Sequence, residues 1–115
     1  PAAPVADEAL APDLAVPDDD PPLRLVEGSE LVGEPLPATC ATGGFVAVLQ
    51  VTGELEPVMR GYAEQFAAMT AFETEGLVGD DDELHVWATA AGGGDLGAMG
   101  VAGDPSFVLI DRCND

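Results

Sequence analysis

Cys40 and Cys113, the only two cysteines of the chain, bracket the one stretch in which apolar residues acquire a regular spacing. A bridge between them would close a loop of roughly 70 residues and, on the chain-entropy account, stabilise the fold by about 4 kcal/mol. That matters here because a compact part of about 75 to 95 residues buries too little surface to be more than marginally stable. Disulfides persist in oxidising compartments, so the pair also predicts an extracytoplasmic protein: secreted, periplasmic or anchored at the cell surface.

Between the cysteines the pattern is that of an α+β domain. Residues 45–53, FVAVLQVTG, form a short run rich in β-branched residues between glycines and read as a largely buried strand. Leu55, Val58, Met59, Tyr62, Phe66 and Met69 then fall on a single helical face, predicting a helix over about 56–70. Glu54 and Glu56 suit the positive end of its dipole, and Pro57 is tolerated in a first turn. Four more strands are expected at about 72–78, 83–90, 96–102 and 106–112, joined by GDDD, AGGGD and GDP links that favour turns.

These elements order as β-α-β-β-β-β: one helix packed on an antiparallel sheet of about five strands. The cysteines lie just before the first strand and just after the last, so a bridge would set those two strands side by side and antiparallel. With a right-handed crossover through the helix linking the first two strands in parallel, the expected sheet order is 1-5-4-3-2.

Upstream of Cys40 the composition changes. Residues 1–22 carry six prolines and six acidic groups without an aromatic residue. Such a segment cannot offset its ordering entropy and is expected to be a disordered, extended tether. Residues 23–39 are expected to be an extended covering segment, leaving 40–115 as the α+β domain. Starting at Pro1, the chain reads as mature, with any targeting segment already removed. No apolar run approaches the ~20 residues that span a bilayer.

Charge narrows the partners. The chain has 22 acidic residues against Arg24, Arg60 and Arg112 with no lysine, a formal charge of −19. Nucleic acid and anionic membranes are excluded as direct partners, because their binding rests on cations that displace counterions. The carboxylate excess reads first as a solvating shell of the kind found on proteins of salt-loving organisms. The sharper reading is a cationic partner, either a metal ion or a basic peptide.

Motifs that suggest chemistry dissolve on inspection. Gly92, Gly93, Gly94, Asp95, Leu96 and Gly97 match the dinucleotide pattern G-x-G-x-x-G, but the glycines at 97, 100 and 103 and then Pro105 leave no room for the helix that would hold the pyrophosphate. They read as a wide hairpin turn. Asp80, Asp82 and Glu83 are weak candidates for a hard cation, lacking the alternating ligands and central glycine of a calcium loop. Ser106, His85 and Asp111 are a triad by composition alone, without the G-x-S-x-G elbow. No cofactor is expected.

Gln50, Val51, Thr52 and Gly53 are similar to the Q-x-V-x-G loop of cystatin inhibitors, but the motif is one residue short and precedes the helix, so the cystatin reading fails. The acidic tether, the Ala- and Gly-rich lysine-free composition and the terminal cysteine resemble small secreted or lipid-anchored proteins of GC-rich actinobacteria. The resemblance spans the whole chain in style and implies no activity.

One feature points toward interaction. Residues 45–49 and 107–110 are apolar on both faces, while one helix covers only one face of a sheet. The surface around His85, Trp87, Val108 and Ile110 is therefore expected to meet residues 23–36 folded back, a second copy, another protein or a small molecule. A non-enzymatic extracytoplasmic binding or structural domain is the expectation. The alternatives are a cation-dependent binder using surface carboxylates and a small hydrolase working through His85 or paired acids.

Overall fold

The computed structural model describes residues 5–9, 23–38, 44–69, 72–90 and 93–113. In chain order these form β1 (Val5–Ala9), β2 (Arg24–Val26), β3 (Ser29–Leu31), β4 (Leu36–Pro37), β5 (Gly44–Val51), α1 (Leu55–Ala68), β6 (Phe72–Thr74), β7 (Val78–Gly79), β8 (Glu83–Ala90), β9 (Asp95–Val101) and β10 (Ser106–Cys113).

The helical stripe is the centre of the core. Leu55, Val58, Met59, Tyr62, Phe66 and Met69 are all buried. Pro57 sits in the first turn, where its missing N–H leaves no helical bond unmade. The helix ends earlier than the spacing predicts, at Ala68, where the Met69 N–H turns back to the Phe66 carbonyl at 3.1 Å. Beneath α1 lie Ala47 and Leu49 of β5, Val86 and Ala88 of β8, Leu96 and Ala98 of β9, and Val108 and Ile110 of β10, all buried. The helix packs tightly over Gly100, where an added Cβ would come within 2.9 Å of Met59 Cγ and Sδ.

Every ladder is antiparallel. The expectation of about five strands requires correction, and the order 1-5-4-3-2 describes only the stretch β5-β10-β9-β8-β6 of a larger sheet. Among the described residues the main sheet has eight strands along the path β3-β5-β10-β9-β8-β6, with β4 also on β5 and β7 also on β8. The additions come from short segments too interrupted by glycine and proline to show a strand period. The expected strand at 72–78 is split into β6 and β7: Gly76 takes φ +89, and the Thr74 hydroxyl accepts the Gly76 N–H while donating to the Trp87 carbonyl at 2.7 Å. Likewise β5 stops at Val51 because the Thr52 N–H donates to the Gly28 carbonyl at 2.8 Å.

Residues 23–28 pack with the helix before the chain enters the sheet as β3. Leu23, Leu25 and Val26 belong to the core. The Tyr62 hydroxyl accepts the Val26 N–H at 3.2 Å and lies 2.7 Å from Ser29 Oγ, whose proton goes to the Val26 carbonyl at 2.6 Å. Ser29 has one proton to give, so the phenol donates to Ser29 and the buried loop closes with its polar groups satisfied. At the helix surface the Gln65 amide pairs with both backbone groups of Arg24, at 2.8 and 2.9 Å. Residues 23–28 thus lie on the helix side, while 29–31 and 36–37 extend the sheet beside β5, so the option that 23–36 fold over the opposite sheet face is corrected. Further upstream β1 pairs with β2 in a small antiparallel sheet, within the stretch expected to be a tether. The rest of residues 1–22 lies outside the described residues.

Candidate interaction surface

The register of the ladders assembles the face opposite α1 into cross-strand rows. Glu30, Gln50, Phe107, Val101 and Glu83 form the first row. Val48, Leu109, Met99, His85 and Val78 form the second, running from β5 to β7. Leu36, Val46, Asp111, Gly97 and Trp87 form the third, and Cys113, Asp95, Thr89 and Glu73 the fourth. The middle rows are mostly apolar and the outer rows carry carboxylates.

This face is open. Trp87 is 52% exposed, Val101 46%, Phe107 42% and Val48 39%. Trp87 is placed by the backbone beneath it: an added Cβ at Gly97 on the neighbouring strand would collide with Cε3 and Cζ3 of the indole and come within 3.0 Å of Asp111 Oδ1. Only glycine lets the ring lie against the sheet beside that carboxylate. Burial pushes the Asp111 carboxyl above the ordinary carboxylate range, and the Asp95 charge raises it further. His85 and Trp87 stack with centroids 6.4 Å apart at 19°. His85 Nε2 donates to Glu83 Oε1 at 2.9 Å, and its Nδ1 is buried without a hydrogen-bond partner.

Of the residues expected on this surface, His85 and Trp87 are there. Val108 and Ile110 are not: both are fully buried under α1. Their neighbours Phe107 and Leu109 take the open side instead. Both alternating sets of β10 are apolar, so sequence parity alone could not separate them. The signal was available on β8, where Leu84, Val86 and Ala88 alternate with His85, Trp87 and Thr89, and the short turns carry that parity to β9 and β10.

The remaining candidates separate. Ser106 is buried on the helix side, its hydroxyl engaged with Gly103, whereas His85 and Asp111 face the other way, so the three do not meet. The Asp80 carboxylate accepts the N–H groups of Asp82 and Glu83 at 2.9 and 3.1 Å, folding its own turn. Among the described residues no group of three or more His, Cys, Asp or Glu side chains is placed to hold a metal ion. Gly93 and Gly94 take φ +99 and +91 in a hairpin turn, and a strand follows them where a dinucleotide site needs a helix. Gly92 lies outside the described residues. Cys113 is disulfide-bonded, and the other cysteine, Cys40, lies outside the described residues.

A separate cleft of about 510 Å³ opens at the N-terminus of α1, lined by Glu54, Glu56, Arg60, Asp80, Asp81 and Ser106 among others. Its one cation is already paired: Arg60 Nε donates to Glu56 Oε1 at 2.8 Å. Among the described residues no helix is long and apolar enough to cross a membrane. Comparison with family models, curated proteins and solved structures finds no match to this chain.

Proposed function

We propose that this protein is a non-enzymatic binding domain working outside the cytoplasm, and that the open sheet face is the surface through which it binds. The observation that carries this reading is the cluster of exposed apolar side chains at Val48, Val101, Phe107 and Trp87, opposite a face already sealed by α1. Scattered apolar residues on a surface need no explanation, but a contiguous patch rimmed by polar groups marks an interaction site. The disulfide at Cys113 supports an oxidising compartment.

A photo-crosslinking amino acid at position 107, in the cells that make the protein, tests the reading. A discrete adduct is expected from position 107, and none from position 64 on the exposed side of α1. Equal labelling from both positions, or none from 107, overturns it.

A further inference from the structure

Resting on that reading of the open face, we infer that its occupant is an amphipathic helix of a partner protein whose apolar stripe is flanked by lysine or arginine on both sides. Complementarity of charge and shape supports this. The apolar side chains of the first three rows cross the strands as a band, with Glu30 and Glu83 at the two ends of the first row, Asp111 beside Trp87 in the third, and Asp95 and Glu73 in the fourth row beyond it. None of the three arginines lies on this face: Arg24 is on β2 and Arg60 on α1, while Arg112 is buried beneath the helix layer with its guanidinium 5.2 Å from the centre of the Phe72 ring.

The geometry selects a helix over a strand. The backbone groups of β8, β9 and β10 are spent within the sheet's ladders, so this face offers side chains only. A helix satisfies its own backbone and asks for nothing more. The band from β5 to β8 spans three strand spacings, about 14 Å, and β7 extends it to about 19 Å. A 14-residue helix like α1 is about 21 Å long and fits it.

Charge argues against the other occupants. A second copy docking through the same patch would bring these carboxylates against their own counterparts. Residues 10–22 carry Asp13, Asp18, Asp19 and Asp20 and no cation, so the chain's own upstream segment meets the same repulsion. A lysine or arginine beside Trp87 would instead sit over an aromatic face and offset the charge of Asp95 and of Asp111, the carboxyl that burial and the Asp95 charge hold above its ordinary value.

Trp87 is the sole tryptophan, so its fluorescence reports on this surface alone. The probes are three stapled 14-residue helical peptides sharing one leucine stripe, flanked by lysine, by glutamine or by glutamate. The lysine peptide should shift Trp87 emission to the blue and saturate, with binding that weakens as salt rises. Asp95→Asn with Asp111→Asn should weaken it at least about fivefold, whereas Glu54→Gln with Glu56→Gln, an equal change in net charge away from the face, should change it less than about twofold. Equal effects of the two double variants overturn the inference, because attraction would then be diffuse. Equal binding of the glutamine peptide overturns the basic partner while leaving the binding face intact. A concentration-dependent dimer in sedimentation, lost on Phe107→Ser, overturns it in favour of a second copy. Failure of all three peptides also overturns it, and the crosslinking at position 107 then decides separately whether the face binds anything.

Discussion

The indole of Trp87 rests against Gly97 on the adjacent strand so closely that no side chain fits between them. Trp87 is thereby held on the sheet beside Asp111 while half of its surface stays in water. Gly97→Ala should displace the ring with little loss of stability, since the indole is at the surface and free to swing outward. The expected result is a red shift and loss of near-ultraviolet dichroism from the only tryptophan, with a change in stability under about 1 kcal/mol. An unchanged tryptophan spectrum would contradict the packing.

Tyr62→Phe should cost about 1 to 3 kcal/mol, because it leaves the buried Val26 N–H without its acceptor. The same phenol carries a pH signature. Burial raises its pKa above the ordinary 10.0, more than the bonds to Ser29 and Val26 lower it. A raised folded-state value means that its stabilising effect is complete below pH 10 and is lost as pH climbs through the folded value. Urea melts of the wild type should therefore weaken in the alkaline limb, and the phenylalanine variant should lack that component.

Asp111→Asn should raise stability at pH 7 and do little at pH 3. Burial and Asp95 hold the Asp111 carboxyl above its ordinary 3.8, so the native state favours the protonated form. The associated stability is present below the unfolded pKa and disappears as pH rises through the folded one. The gain at neutral pH is expected to be under about 1 kcal/mol, since the group is partly solvated. Melting temperatures of both proteins across pH 3 to 7 would show the difference opening with pH, and a constant offset would rule the mechanism out.

Raising salt from about 0.05 M to about 1 M should increase the melting temperature. A formal charge of −19 on 115 residues makes the folded state repel itself. Screening shortens the reach of that repulsion from more than about 10 Å to about 3 Å. Potassium chloride and sodium chloride should act alike if screening is the cause. A response to millimolar calcium, absent with sodium, would point instead to a bound cation.

Several features of this protein were legible in its residues alone. The helix announced itself because six apolar side chains at helical spacing have only one way to share a face, and Leu55 through Met69 are buried as that spacing requires. The turn at Gly93 and Gly94 was legible because only glycine takes those backbone angles cheaply. Tertiary structure alone decided the rest. Residues 23–31 could not be placed from sequence, because their partners, Tyr62 and Gln65, lie some 36 and 41 positions away. The parity of β10 was hidden in its own residues, since Phe107, Val108, Leu109 and Ile110 are all apolar; it follows from the alternation on β8 only once register through Met99 is known. Local spacing fixes which residues share an element, but which of two apolar faces meets water depends on contacts made far along the chain.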